Sequence, residues 1–286
     1  MAIKGLEIPV FGDYNFDGNK VFYNNGFVAG KAVEYGVETE TSEDNPLYGD
    51  NEVAEQDYGV FAGGTLTLNT THLDAFTSKK LLNLKEVKRT IGDTEVTELV
   101  YDDDASPKPK GFGVIETHQV NNVDKYRAVI LAKVTPKNPS EAATTKGETV
   151  EWQTKELECL VERSQEESEN YNHPWKYEAW FDKREDAVKY LKTVLNAMER
   201  LELKSVEGET QGKTKLTVTP ALAVGHTYKY SITGPEPTYM QDVKEWEDWN
   251  GEDEIQAANG KTLYLAEVDA QKKAVKVGTV RVVAKA

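Results

Sequence analysis

Asp13-Tyr14-Asn15-Phe16-Asp17-Gly18-Asn19 sets side-chain oxygens at alternate positions and a glycine sixth, as in the first half of a calcium-binding loop. The twelfth position is Asn24, where a bidentate carboxylate would close such a site. The flanks are rich in Val, Phe, Tyr and Gly and are not helical. Turns closed by Asn and Asp side chains explain the same residues. The four histidines, His72, His118, His173 and His226, show no ligand spacing, and no HExxH motif occurs. Cys159 is the single cysteine, so no intrachain disulfide or multi-cysteine metal site exists, and its alternating segment makes it a small buried apolar residue. With 49 Asp and Glu, carboxylate pairs are too common to single out an acid–base couple. Gly63-Gly64 and Gly111-Phe112-Gly113 do not lead into a helix with a Lys-Ser/Thr ending, as a phosphate loop would. These readings point to no catalytic residues, no metal and no cofactor.

Two aromatic clusters and one acidic stretch remain. Tyr171 to Phe181 holds Tyr171, His173, Trp175, Tyr177, Trp180 and Phe181, read as a core or a subunit interface. Tyr239, Trp246 and Trp249 form the second cluster, read as candidate surface aromatics that stack on sugar rings, or else as core. Residues 35–58 carry Glu38, Glu40, Glu43, Asp44, Asp50, Glu52, Glu55 and Asp57 with no Lys or Arg, interrupted by Pro46 and Gly49. That pattern predicts a long acidic loop, or a loop with an irregular hairpin, of the kind that is functional or orders on assembly.

The elements that position these residues are mostly strands. Asp17-Gly18 and Asn25-Gly26 are hairpin-turn dipeptides with a short strand over 20–23 between them. Residues 61–68 predict a strand. Residues 71–84 predict a helix capped by Thr71 with Asp74 at its third position. Residues 112–120 and 126–134 form the clearest hairpin, and the middle of its second strand is apolar on both faces. Such a strand is either central in a sandwich or covered by a neighbouring subunit. A loop over 136–147 leads to strand pieces at 150–152 and 157–161. Ala187, Val188, Leu191, Val194, Leu195 and Met198 recur at helical spacing, predicting a helix over 182–198 started by Asp182 with Glu185 and ended near Arg200. Beyond it, strands over 216–219, 226–232, 262–268 and 273–283 suggest a small sandwich. A change of parity at Gly278 predicts a bulge there. The polar stretch 206–213 reads as a linker between domains over 1–205 and 214–286.

Charge bounds the function further. The 286-residue chain has a net charge of −15, of which −13 lies in residues 1–205 and −2 in residues 206–286. This disfavours sequence-independent binding to nucleic acid or an anionic membrane. An apolar content of 38% and a mean hydropathy of −0.61 argue against an integral membrane protein. The Met1-Ala2-Ile3-Lys4 start lacks the apolar region of a signal peptide, so the expected site of synthesis and residence is a cytoplasm.

Three segments then occur in a telling order: Glu55 to Leu66 (EQDYGVFAGGTL) after the acidic stretch, Gly111 to Ile115 (GFGVI) followed by Tyr126 to Val134 (YRAVILAKV), and Ala142 to Thr154 (AATTKGETVEWQT) leading into the helix at Asp182. Together they resemble the major tail protein, or tail tube protein, of long-tailed phages with non-contractile tails that infect Gram-positive bacteria. The resemblance covers about residues 1–200. It implies a mainly β, α+β fold: two packed sheets flanked by helices and closing toward a barrel-like unit. It also implies hexameric rings stacked into a tube that conducts the genome, and no catalytic residue. Implied partners are other copies of the chain, the tape measure, the tail terminator and the distal tail protein, with DNA passing through the lumen without specific binding and no membrane. The implied location is the virion tail, with host cytoplasm before assembly. Residues from about 213 resemble the small, often immunoglobulin-like, domains that decorate such tubes. The eight carboxylates of 35–58 are then the candidate inter-ring loop, and acidic groups facing a channel would repel phosphates. The alternative expectation is a carbohydrate-binding or adhesion protein acting through Tyr239, Trp246 and Trp249.

Overall fold

The computed structural model describes residues 2–50, 52–92, 94–139 and 154–285. The third segment of the resemblance, apart from Thr154, the strand expected at 150–152 and most of the 136–147 loop lie outside the described residues. The chain divides into two compact units, Met1–Leu195 and Asn196–Ala286.

The first unit runs β1 (Ala2–Phe16), β2 (Val21–Val28), β3 (Ala32–Thr41), β4 (Asn45–Gly49), β5 (Glu52–Asp57), β6 (Phe61–Thr70), α1 (Ala75–Leu82), β7 (Lys85–Ile91), β8 (Thr94–Val100), β9 (Lys110–Val120), β10 (Val123–Pro136), β11 (Lys155–Glu162), β12 (Lys176–Phe181) and α2 (Arg184–Val194). One eight-stranded sheet has the order β2-β1-β9-β10-β11-β6-β3, and β12 joins it beside β10. The two-faced apolar strand explains this layout. The first part of β10 pairs with β12, its last part with β11, and β9 lies on its other edge. Ala128 to Ala132 are all buried. One face joins a core in which Phe11 and Phe112 from one part of the sheet meet Leu66, Leu68 and Leu157 from the other, so the sheet folds over on itself as a sandwich. It does not close into a barrel among the described residues. The other face of β10 is covered by α2, through Ala187 and Leu191, so burial needs no neighbouring subunit.

Local chemistry moves several boundaries. Residues 35–58 hold the rest of strand β3 in the main sheet, then a β4–β5 hairpin with a register shift: the irregular hairpin of the second alternative is present, and the long loop is not. Asp74, rather than Thr71, caps α1: its carboxylate accepts the Thr77 N–H at 2.7 Å, worth about 1 kcal/mol. That bond holds the Asp74 carboxyl below the usual range. Helix α2 starts at Arg184 after Lys183, with no side-chain cap. Asp182 pairs instead with Lys125, because a cation within reach competes for the carboxylate. Asp17-Gly18 does make the β1–β2 turn, but Asn25 lies inside β2 with φ 51° and faces a register shift in β1. It is a bulge and not a second turn.

The second unit is β throughout: β13 (Glu199–Arg200), β14 (Glu202–Glu207), β15 (Lys213–Thr219), β16 (Thr227–Ser231), β17 (Glu247–Trp249), β18 (Ile255–Gln256), β19 (Thr262–Val268) and β20 (Ala274–Arg281). A five-stranded sheet β13-β20-β19-β16-β17 faces a three-stranded sheet β14-β15-β18 across a core that includes Leu216, Leu263 and Leu265. The 206–213 segment, read as a linker, is the turn of the β14–β15 hairpin. Its polar, glycine-containing composition suits either role. Met198 lies in this unit's second core, and Arg200 pairs with Glu236 at 2.5 Å, so neither belongs to α2. The β20 bulge falls at Val275, between Ala274 and Lys276, and Gly278 stays in register opposite Leu265. Gly278 is required for a different reason: a Cβ there would come within 2.6 Å of the Leu201 carbonyl oxygen.

Candidate functional site

Two hairpins of the first unit carry mostly exposed side chains, although Leu99 near the end of β8 packs against the core. In β4–β5 the exposed side chains include Tyr48 and Val53, with Tyr58 and Val60 exposed just beyond it. Of the acidic candidates, Glu38 and Glu40 are exposed on β3, Glu43 and Asp44 on the connection, and Asp50, Glu52 and Glu55 on the hairpin. Asp57 ends β5, and its side chain lies outside the described residues. The carboxylates therefore run along one strand and one arm. Asp44 differs from the rest. Its Oδ1 accepts the Gly59 N–H at 2.7 Å and its Oδ2 accepts from Gln56 at 3.3 Å. Ser42 accepts the Val60 N–H at 3.0 Å and its own N–H donates to the Val60 carbonyl. A side chain at Gly59 would run into the Ser42 carbonyl. Asp44 is thus the clamp at the base of the arm.

The β7–β8 hairpin was not expected from the sequence. Every residue of β7 is exposed, and Val87, Ile91 and Val96 are uncovered on one of its faces. Ion pairs Lys88–Glu95 at 2.6 Å and Arg89–Glu98 at 2.7 Å bind its strands together. The signal was a Gly92 turn, φ 61°, between two alternating segments with no strongly apolar face.

A buried polar cluster sits at one end of the sandwich. The register of the β9–β10 hairpin puts Glu116 opposite Arg127. Glu116 accepts from Tyr35, from His118 at 2.7 Å and from Arg127 at 3.1 Å, and Arg127 also pairs with Glu178. Burial works to raise the Glu116 carboxyl, but the three donors outweigh it and hold the group low. Burial, with Glu116 beside it, pushes the Tyr35 phenol up. A cavity of about 320 Å³ lies alongside, lined by Ile3, Tyr35, Val37, Glu116, Val129 and Trp175 among others. Both Glu116 oxygens are occupied, so this carboxylate fastens β3, β9 and β10 together.

The remaining candidates are placed as follows. Asp13 pairs with the buried Lys110 at 2.6 Å and accepts from Asn25 at 3.0 Å, while Asp17 caps the turn by accepting the Asn19 and Lys20 N–H groups. Burial would raise Asp13, yet Lys110 and Asn25 keep it low. Among the described residues, no three His, Cys, Asp or Glu are grouped to hold a metal ion. Cys159 is fully buried in the core. Trp175 stacks on Phe61, centroids 4.4 Å apart, and Trp180 packs on His118 at 4.9 Å. Tyr239 and Trp246 are half-buried against the second unit's core. Trp249 is only 7% exposed and donates its indole N–H to the Asp253 carbonyl at 2.7 Å. The three do not form a surface stacking platform.

Residues 206–285 match the family model described as the S-layer protein SbsC C-terminal domain. The matched family is a surface-layer domain and not a phage tail family. The compact second unit begins ahead of the match, at Asn196, and so includes β13 and the start of β14. No curated protein matches the chain.

Proposed function

We propose that the chain is a structural subunit that assembles with copies of itself into stacked rings, forming the tail tube of a long-tailed phage. The observation that carries the reading is the pair of arms, β4–β5 and β7–β8, which leave Tyr48, Val53, Val87 and Ile91 exposed among the described residues. Among the described residues β2 and β3 are the edge strands of the main sheet, the kind of surface that ring closure satisfies. The ordered segments over 55–66 and 111–134 support the tube identity. The acidic arm reaches the next ring, and its carboxylates line a passage through which DNA slides without sticking. Rings are hexameric, and partners are the tape measure, terminator and distal tail proteins. The second unit projects outward as a decoration.

Negative-stain microscopy of concentrated protein tests this. Rings or hollow tubes are the expected result. A monodisperse monomer at every concentration, including in the presence of other tail proteins, overturns it.

A further inference from the structure

The second unit contains a cleft of about 530 Å³ at the edge strand β17, a size typical of small-ligand sites. Tyr228, Tyr230 and Trp249 form its aromatic wall, and Asp248, Asp253 and Lys272 stand among its polar groups. Tyr228 is the informative residue. It is only 5% exposed, with its ring packed 5.5 Å from that of Trp249. Nevertheless, its hydroxyl makes no hydrogen bond with any described residue and is not sealed from solvent. A hydroxyl open to solvent bonds water while the cleft is empty, and a ligand group can take that water's place. Here the hydroxyl is left for something in the cleft.

The rest of the lining is fixed in advance. Trp249 is tied to the Asp253 carbonyl, and Asn250 Nδ2 donates to Asp253 Oδ2 at 2.8 Å. The buried Lys229 donates to the Lys244 and Trp246 carbonyls and pairs with Asp248 Oδ1 at 3.0 Å. Lys272 donates to Thr227 at 3.1 Å. These contacts leave Asp248 Oδ2 and Asp253 Oδ1 as open acceptors beside aromatic carbon. Planar carboxylate acceptors next to aromatic rings suit a ligand that has several hydroxyl donors and apolar C–H faces. The carboxylates Asp248, Asp253 and Glu254 outnumber Lys272 and the buried Lys229, which disfavours an anion.

We propose that this cleft is a carbohydrate-binding site for neutral or amine-bearing sugars, with Tyr228 and Asp253 as its hydrogen-bonding anchors and Tyr230 and Trp249 as its wall. The site is independent of the tube reading and stands or falls apart from it.

The test applies the full-length protein to a printed array of neutral, amine-bearing and acidic glycans, then titrates the strongest binder by calorimetry. Neutral or amine-bearing glycans are expected to bind and acidic ones to be rejected. Tyr228→Phe keeps the ring and removes the hydroxyl; it and Asp253→Asn each weaken binding about tenfold, with an unchanged unfolding midpoint for Tyr228→Phe. Tyr239→Phe, outside the cleft, binds as the parent does. Absence of binding across the array, preference for acidic glycans, or parental affinity in both cleft variants overturns the proposal.

Discussion

Gly113 on β9 lies directly beneath Leu191 on α2: a Cβ at position 113 would collide with Leu191 Cδ1 and come within 2.9 Å of Leu195 Cδ1. Gly12 shows the same relation, with a Cβ there 2.5 Å from the Leu195 carbonyl. Glycines on β1 and β9 thus make the shallow floor on which α2 rests. Gly113→Ala must make the fully buried Leu191 side chain repack or push the helix outward, at a cost of about 1–3 kcal/mol. Leu191→Ala opens a cavity by itself, but in the double variant the two changes offset each other. Thermal unfolding of the four proteins of the cycle should show a combined cost well below the sum of the single costs.

Glu116 gives the first unit an acid-sensitive fastening. Its carboxyl is held below the ordinary value of 4.5 by donors from three strands. The unfolded chain therefore takes up this proton more readily than the folded one. The stabilisation is complete above the unfolded value and is lost as pH falls through the folded value. Glu116→Gln should cost about 3 kcal/mol at neutral pH. It should also flatten the decline of the unfolding midpoint below about pH 4.5. A decline as steep as the parent's would show that other carboxylates control acid stability.

The contrast between β10 and the two arms explains what the sequence made legible. The both-faced apolar run of β10 and the spacing of Ala187 and Leu191 on α2 are burial signals, and both elements lie where those signals put them. Strand β7 is exposed throughout, as are Tyr48 and Val53 of the other arm, so β4–β5 read as a loop or an irregular hairpin and β7–β8 carried no pattern strong enough to notice. The Glu116–Arg127 pair was within reach. Once Asn121-Asn122 is taken as the turn, with φ of 50° and 64°, counting outward from Val120 and Val123 sets Glu116 against Arg127. The cleft of the second unit was not within reach. Tyr228, Trp249 and Asp253 meet only because β16 pairs with β17, and sequence alone could not distinguish a buried Trp249 from an exposed one.

The uncovered face of β7–β8 predicts a variant that folds but assembles poorly. Ile91 is 60% exposed, so Ile91→Glu should change the unfolding midpoint by no more than about 0.5 kcal/mol equivalent. If the arm docks on another copy, the charge must be desolvated in the contact, and sedimentation should show a marked shift toward monomer. Undiminished assembly would remove β7–β8 from the interface.

The acidic arm has sharper limits than the sequence suggested. Glu40 and Thr41 pair with Gly63 and Phe61 in the main sheet, so an excision starting at residue 40 would remove part of β3 and destabilise the unit. Asn45 and Asp57 are cross-strand partners, a separation that a two-residue turn can close. Replacing residues 46–56 with Asn-Gly keeps the Ser42, Asp44 and Gly59 clamp. The trimmed protein should unfold within about 1 kcal/mol of the parent, because Tyr48 and Val53 of the arm are exposed. Under the microscope it should give isolated rings or monomers where the parent gives tubes. Tubes of normal length from the trimmed protein would show that the arm does not join rings, and its carboxylates would then need another role.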